Sequence, residues 1–437
     1  MTVRSRLHRV IGLCFLVPAI SGCSDSFLAG KLHYVENEAL TKDVKGRSSL
    51  VGKPRLQEKV RKALADIFGE DPQRIRVPEA MGGLLNSGGA YLGNYQVQDG
   101  VVKHSANEDP VTKQFTRYAG GYGIYRRQCL HCHGVSGAGD GPTAPFLYPY
   151  PRDYRKGLFK FTSTPNGARP SKEDLKRTVR NGLNGTSMPA FHSLLSDFEI
   201  DQVVDYVIFL SIRGETELAL IDEGAISDET DINALSPETA AEIADGVIRR
   251  WIADQSKVVN PTIARTESTR ESILRGRELF LGKTPEKLEC SGCHGLLARG
   301  DGKSFVPQDV FNQVVFGGNP SERQQRIDAL SPEMKDLWGQ KLDDWGNPLR
   351  PANLNRGKDT VYKGGRRPID IYWRIAKGIT GAQMPAHYPT IDEKKVWDLV
   401  NFVLALPFEP ELLGESPHPG GPEVPPGVSG TPPVAAR

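Results

Sequence analysis

The chain has 437 residues, and at roughly 100–200 residues per domain it has room for two to four domains. Its 55 Lys and Arg nearly balance 53 Asp and Glu, for a formal charge of +2. That balance, with no basic stripe interleaved with aromatics, argues against a nucleic-acid partner.

Residues 1–23 read as an export signal. Arg4, Arg6 and Arg9 precede an apolar stretch, Val10 to Ile20, too short for the ~20 residues of a membrane-spanning helix. The stretch ends Ile20-Ser21-Gly22-Cys23, which resembles the lipobox of bacterial lipoproteins. That resemblance implies cleavage before Cys23 and acylation of its thiol. Several acyl chains would suffice as an anchor, since each buried CH₂ contributes ~0.8 kcal/mol. Residues 24–112 carry no cofactor motif. Within them Arg55 to Glu70 reads as an amphipathic helix with Leu56, Val60, Leu64, Ile67 and Phe68 on one face. The segment is expected to be a stalk plus a docking element.

Two runs carry the chemistry: Cys129-Leu130-His131-Cys132-His133 and Cys290-Ser291-Gly292-Cys293-His294. C-x-x-C-H is the spacing for covalent c-type haem attachment. Two thiols two residues apart reach the vinyl positions on one porphyrin edge, and the following His sits under the iron. A zinc or dithiol reading of C-x-x-C needs further ligands or a βαβ setting, and the sequence shows neither. The surroundings repeat as well. Gly121 and Tyr125 precede the first motif on one helix face, and Gly276 and Phe280 precede the second. A Gly-Asp-Gly turn follows each, at Gly139 to Gly141 and Gly300 to Gly302. Then come Pro151-Arg152-Asp153-Tyr154 and Pro351-Ala352-Asn353-Leu354. Asp174 to Met188 is spaced like Asp370 to Met384, each ending in Met-Pro-Ala, and an amphipathic helix closes both units.

Between the units, Glu215 to Gly246 holds ten acids and no Lys or Arg, while Arg152 to Arg180 holds nine Lys and Arg against three acids. These runs read either as patches that steer a partner, or as faces turned to solvent or to each other. The second unit carries an extra segment of about forty residues, near 303–348, which is open to three uses: covering a haem edge, contacting the first unit or binding a partner. The Pro/Gly-rich end, 410–437, reads as disordered.

Each unit resembles a class I cytochrome c domain, over roughly 113–213 and 267–409. The resemblance implies an all-α fold: two haem domains in tandem, with an N-terminal extension, a helical linker over 214–266 and the Pro-rich tail. It implies two covalently bound haem c groups, held through Cys129, Cys132, Cys290 and Cys293. His133 and His294 would be the proximal iron ligands, and Met188 and Met384 the distal ones. A Pro carbonyl supports the proximal His in this family, which points to Pro151 and Pro351, with Pro149 and Pro348 also near. With six ligands filled, each iron exchanges single electrons. The expectation is therefore a membrane-anchored electron carrier on the periplasmic side, serving other redox proteins such as cytochromes, a quinol-oxidising complex or a terminal oxidase. The rival is a dihaem cytochrome c peroxidase-like oxidoreductase, in which one haem is open or bis-His.

Overall fold

The computed structural model describes residues 32–44, 46–93, 95–98, 101–104, 120–316 and 320–414. The signal segment with Cys23 and most of the Pro-rich tail lie outside these residues. The described fold is all-α. Its helices in the first half are α1 (Pro54–Phe68), α2 (Gly120–Gln128), α3 (Leu130–His133), α4 (Lys172–Asn181), α5 (Asp197–Ile226) and α6 (Pro237–Asp254). The second half adds α7 (Arg270–Phe280), α8 (Cys290–His294), α9 (Gln308–Val315), α10 (Pro320–Asp328), α11 (Pro332–Gln340), α12 (Pro368–Ala376) and α13 (Glu393–Ala405). One antiparallel hairpin, β1 (Tyr95–Gln98) with β2 (Val101–His104), pairs Gln98 with Val101 at its tip. Among the described residues no helix is long and apolar enough to cross a membrane.

The repeat seen in the sequence is a repeat in space. In the first half α2 crosses α5 at Gly121, where an added Cβ would overlap the Gln202 carbonyl oxygen. One turn on, the Tyr125 and Tyr206 rings meet at 5.1 Å. In the second half α7 crosses α13 at Gly276, where a Cβ would overlap the Asp398 carbonyl. There Phe280 meets Phe402 at 5.3 Å. A side chain at either crossing forces the helices apart, which in a packed core costs about 1–3 kcal/mol. Gly276→Ala should therefore lower the urea midpoint of the haem-loaded protein by a corresponding amount. An unchanged midpoint would mean that the helices do not bear on each other there.

The N-terminal segment shares one core with the first unit. Leu56, Val60, Leu64 and Phe68 of α1 are buried, and Phe68 meets Phe209 edge-on at 5.8 Å. Ile67 is only partly buried. Lys53 closes the far end of α5 by donating to the carbonyls of Gly224, Ala225 and Ser227 at 3.1, 2.7 and 2.8 Å, where a cation suits the helix dipole.

At the connection, α5 runs unbroken for 30 residues through the expected boundary at 213. Leu220, Ile221 and Gly224 are buried along its extension, as are Glu215 and Glu217, while Asp222, Asp228, Asp231, Glu238 and Glu242 of the acidic stretch are exposed. The basic run is not a free patch. Arg155, Lys160, Arg169, Lys172, Lys176, Arg177 and Arg180 pair with Asp153, Asp343, Glu215, Asp205, Asp201, Asp174 and Asp197. Lys156 donates to the Asp344 carbonyl, and Arg152 lies on the Trp345 ring. These charges hold the fold together.

The extra segment of the second unit has its own small core of Val306, Phe311, Val314, Val315 and Trp338. It packs on the first unit: Tyr148 meets Phe311 edge-on at 5.8 Å and donates to the Pro348 carbonyl at 3.1 Å. Of the uses open to it, contact with the first unit is in place, and Phe305, Phe311, Phe316 and Asn347 of the same segment line the cavity described below.

Candidate haem sites

Both motifs are short helices closed by the turn that follows. In the first, Gly139 N donates to the His133 carbonyl at 2.9 Å and Gly141 N to that of Cys132 at 3.1 Å. In the second, Gly300 N donates to the His294 carbonyl at 2.8 Å and Gly302 N to that of Cys293 at 3.2 Å. Gly134 and Gly295, at φ 75° and 83°, end the helices where a Cβ would overlap Asp140 or Asp301. The Gly-Asp-Gly signature is thus the clamp that sets the thiols and the His on one turn.

Nδ1 of His133 faces the Arg152 carbonyl at 3.2 Å, and Nδ1 of His294 faces the Ala352 carbonyl at 3.0 Å. Pro151 and Pro351, expected to supply these acceptors, do not. Their carbonyls lie against Gly139 and Gly300 instead, so the strap presents the next carbonyl to the ring. The consequence for the ring is as expected: Nδ1 donates and leaves Nε2 with its lone pair free for a metal. Burial reinforces this by lowering His133 to about 4, and it lowers His294 as well. Burial also pushes the Cys129 thiol up to about 12 and the Cys290 thiol to about 11. Zinc-binding and dithiol-redox cysteines are shifted the other way.

The Met loops are closed by backbone. Leu183 N donates to the Met188 carbonyl and Ile379 N to the Met384 carbonyl, each at 3.1 Å. Gly182 and Gly378, at φ 65° and 75°, leave room for those carbonyls. In the first loop the Thr186 hydroxyl donates to the Leu183 carbonyl at 2.7 Å and accepts from Met188 N at 3.1 Å. His192 is exposed and bonded to the Arg180 carbonyl at 3.1 Å, while His387 lies beside Met384 on the cavity wall.

All these groups converge on one cavity of about 1470 Å³. Its wall includes Cys129, Cys132, His133 and Met188 together with Cys290, Cys293, His294 and Met384, and also Pro151 and Pro351. Single-ligand pockets are typically ~300–1,000 Å³, so this space suits two large groups better than one. The wall also carries seven Lys or Arg side chains (Arg152, Lys160, Lys287, Arg350, Arg356, Lys363 and Arg374) against Asp174, Glu289 and Asp343. The excess of four positive charges equals the charge of the four propionates that two haems would bring. Ligand types, volume and charge fit the group.

The two sites differ on the proximal side. Tyr154 stacks on His133 at 4.7 Å and Phe159 backs Tyr154 at 5.7 Å. Leu354 replaces that tyrosine in the second unit, where Phe280 is the nearest ring to His294, at 6.3 Å. His133 is buried, and His294 is only partly so.

Residues 116–207 match the family model of subunit III of cbb3-type cytochrome c oxidase. The match supports a c-type cytochrome domain in the first unit, and covalently held haem c is what that family implies. No curated protein matches the chain. Among solved structures, a chain of the Kuenenia stuttgartiensis reducing HAO-like protein complex aligns at 24% identity, covering 65% of this chain and 94% of its own, with a TM-score of 0.42.

Proposed function

We propose that this chain is an exported, lipid-anchored dihaem cytochrome c that passes single electrons between redox proteins at a membrane surface on the periplasmic side. The observation that carries the reading is the convergence of two C-x-x-C-H motifs and two Met-Pro loops on one cavity. Bound haem supplies one-electron chemistry, and a His/Met pair raises its potential. The chain's own residues then do four things. Cys129, Cys132, Cys290 and Cys293 hold the groups covalently. The Arg152 and Ala352 carbonyls orient His133 and His294. Met188 and Met384 would hold the two irons opposite His133 and His294, and so would keep peroxide and oxygen away from them. The basic wall compensates the propionates. Partners fitting this role are other cytochromes, a quinol-oxidising complex or a terminal oxidase, and the matching Met loops weigh against the peroxidase-like alternative. Acylation at Cys23 supplies the anchor.

The test is a haem count on the denatured protein followed by an anaerobic redox titration read by EPR. Two covalent haems per chain, both low-spin and at positive potentials, are expected, and Cys23→Ser should release the protein from the membrane fraction. One high-spin or bis-His haem would overturn the carrier reading and make peroxide turnover the next assay.

A further inference from the structure

Trp345 contacts both the Pro151–Tyr154 strap of the first unit and the loop that carries Met384 in the second. It sits in a turn of the extra segment that the buried Asp343 carboxylate holds, accepting from Trp345 N at 3.0 Å and Asn347 N at 2.8 Å. Lys160 of the first unit pairs with that carboxylate at 2.8 Å. On one side the indole Nε1 donates to the Asp153 carbonyl at 3.1 Å, and the Arg152 guanidinium lies 3.5 Å from the ring centre. Arg152 is the residue whose carbonyl faces His133. The proximal strap of the first site is therefore held between His133 and Trp345. On the other side the same ring lies against Gly381, where an added Cβ would overlap it. Asp344 N donates to the Gly381 carbonyl at 3.1 Å, and Gln383 Nε2 to the Gln340 carbonyl at 2.8 Å. Gly381 is three residues before Met384, inside the loop that Ile379 closes.

We propose that Trp345 is a positioning residue shared by the two haem sites, fixing the strap that orients His133 in one unit and backing the loop that delivers Met384 in the other. The proposal rests on the dihaem reading above. One side chain then sets ligand geometry at both irons. A ring that merely filled the interface would hold the units together without tuning either iron. The contacts with the two sites differ in kind. The strap is gripped by an N–H donor and a cation–π contact, whereas the loop is backed by ring surface alone.

The experiment compares Trp345→Ala and Trp345→Phe in the full-length protein by spectroelectrochemical titration and EPR, with the first haem tagged in each background by Met188→His. Wild type comes first: fewer than two haems, or a haem without Met ligation, defeats the dihaem reading itself, whatever Trp345 does. With that reading in place, Trp345→Ala should retain both covalent haems and change the EPR signal of each. It should also shift each reduced-to-oxidised ratio at fixed potential about tenfold toward the oxidised form, equivalent to ~59 mV. Release of Arg152 and entry of water favour the more positive iron. Trp345→Phe loses the N–H and also the six-membered ring edge that meets Gly381, so it too should shift both haems. If either haem in Trp345→Ala keeps its wild-type signal and potential, the shared role is overturned. Should the Ala variant fail to accumulate, Trp345→Phe decides alone: a shift at both haems supports the proposal, and a wild-type signal and potential at either overturns it.

Discussion

Met188→His should lower the midpoint potential of the first haem by roughly 0.2–0.4 V, a substantial part of the ~0.8 V that axial ligation spans. A thioether is soft and favours the reduced iron, while a second imidazole favours the oxidised one. The loop should survive the change because its closure does not use the side chain: the Leu183 to Met188 bond is backbone to backbone at 3.1 Å, and Thr186 ties the turn from within. The second haem, with Met384 in a loop of its own, should keep its potential. Met384→His should give the mirror result. A spectroelectrochemical titration in which Met188→His moves neither wave would show that Met188 is not a ligand. His192 is poorly placed as a substitute, being exposed and engaged by the Arg180 carbonyl.

The candidate ligand residues that line the cavity could be picked out in the sequence because covalent attachment and proximal ligation need residues that are contiguous, and the Met loops because the unit is written twice. The acceptor for the proximal imidazole could not. It is a backbone atom, and side-chain identity does not say which carbonyl of the Pro151–Tyr154 strap turns inward. The length of α5 was missed for a different reason. Its apolar periodicity weakens where Glu215 and Glu217 enter, and both read as solvent-facing when their partners are unknown. In the fold Glu217 accepts from Asn37 N at 2.7 Å, a partner 180 residues away, and Glu215 meets Arg169 and Trp251. The charge runs stayed open between readings for the same reason, since local counts carry no information on distant counter-charges. Trp345 was visible as a residue of the extra segment, but nothing near it in sequence points to Arg152 or Gly381.

Replacing Glu215 by Ala should destabilise the haem-loaded protein by about 3–5 kcal/mol, the usual cost of removing one member of a buried ion pair. Glu215 is only 6% exposed. One carboxylate oxygen accepts from the Trp251 indole N–H at 2.6 Å and the other from Arg169 Nε at 3.0 Å, with a second Arg169 nitrogen closing the pair. Arg169 N donates in turn to Asp254 at 2.9 Å, so this carboxylate joins α5, α6 and the segment before α4. Removing it strands a guanidinium and an indole N–H in the interior, and each loses an acceptor that water reaches poorly. Glu215→Gln keeps an acceptor but not the charge, and should fall between wild type and Ala. Glu215→Leu with Arg169→Met removes both charges, and because an apolar replacement of a buried pair is often close to neutral, the double variant should recover most of the loss. Urea unfolding followed by circular dichroism measures all three. If Glu215→Ala costs no more than an exposed pair, ~1 kcal/mol or less, then the pair is solvated. The ordering Ala below Gln, with the apolar pair near wild type, would instead mark it as a structural clamp, and partner docking would have to be sought away from these charges.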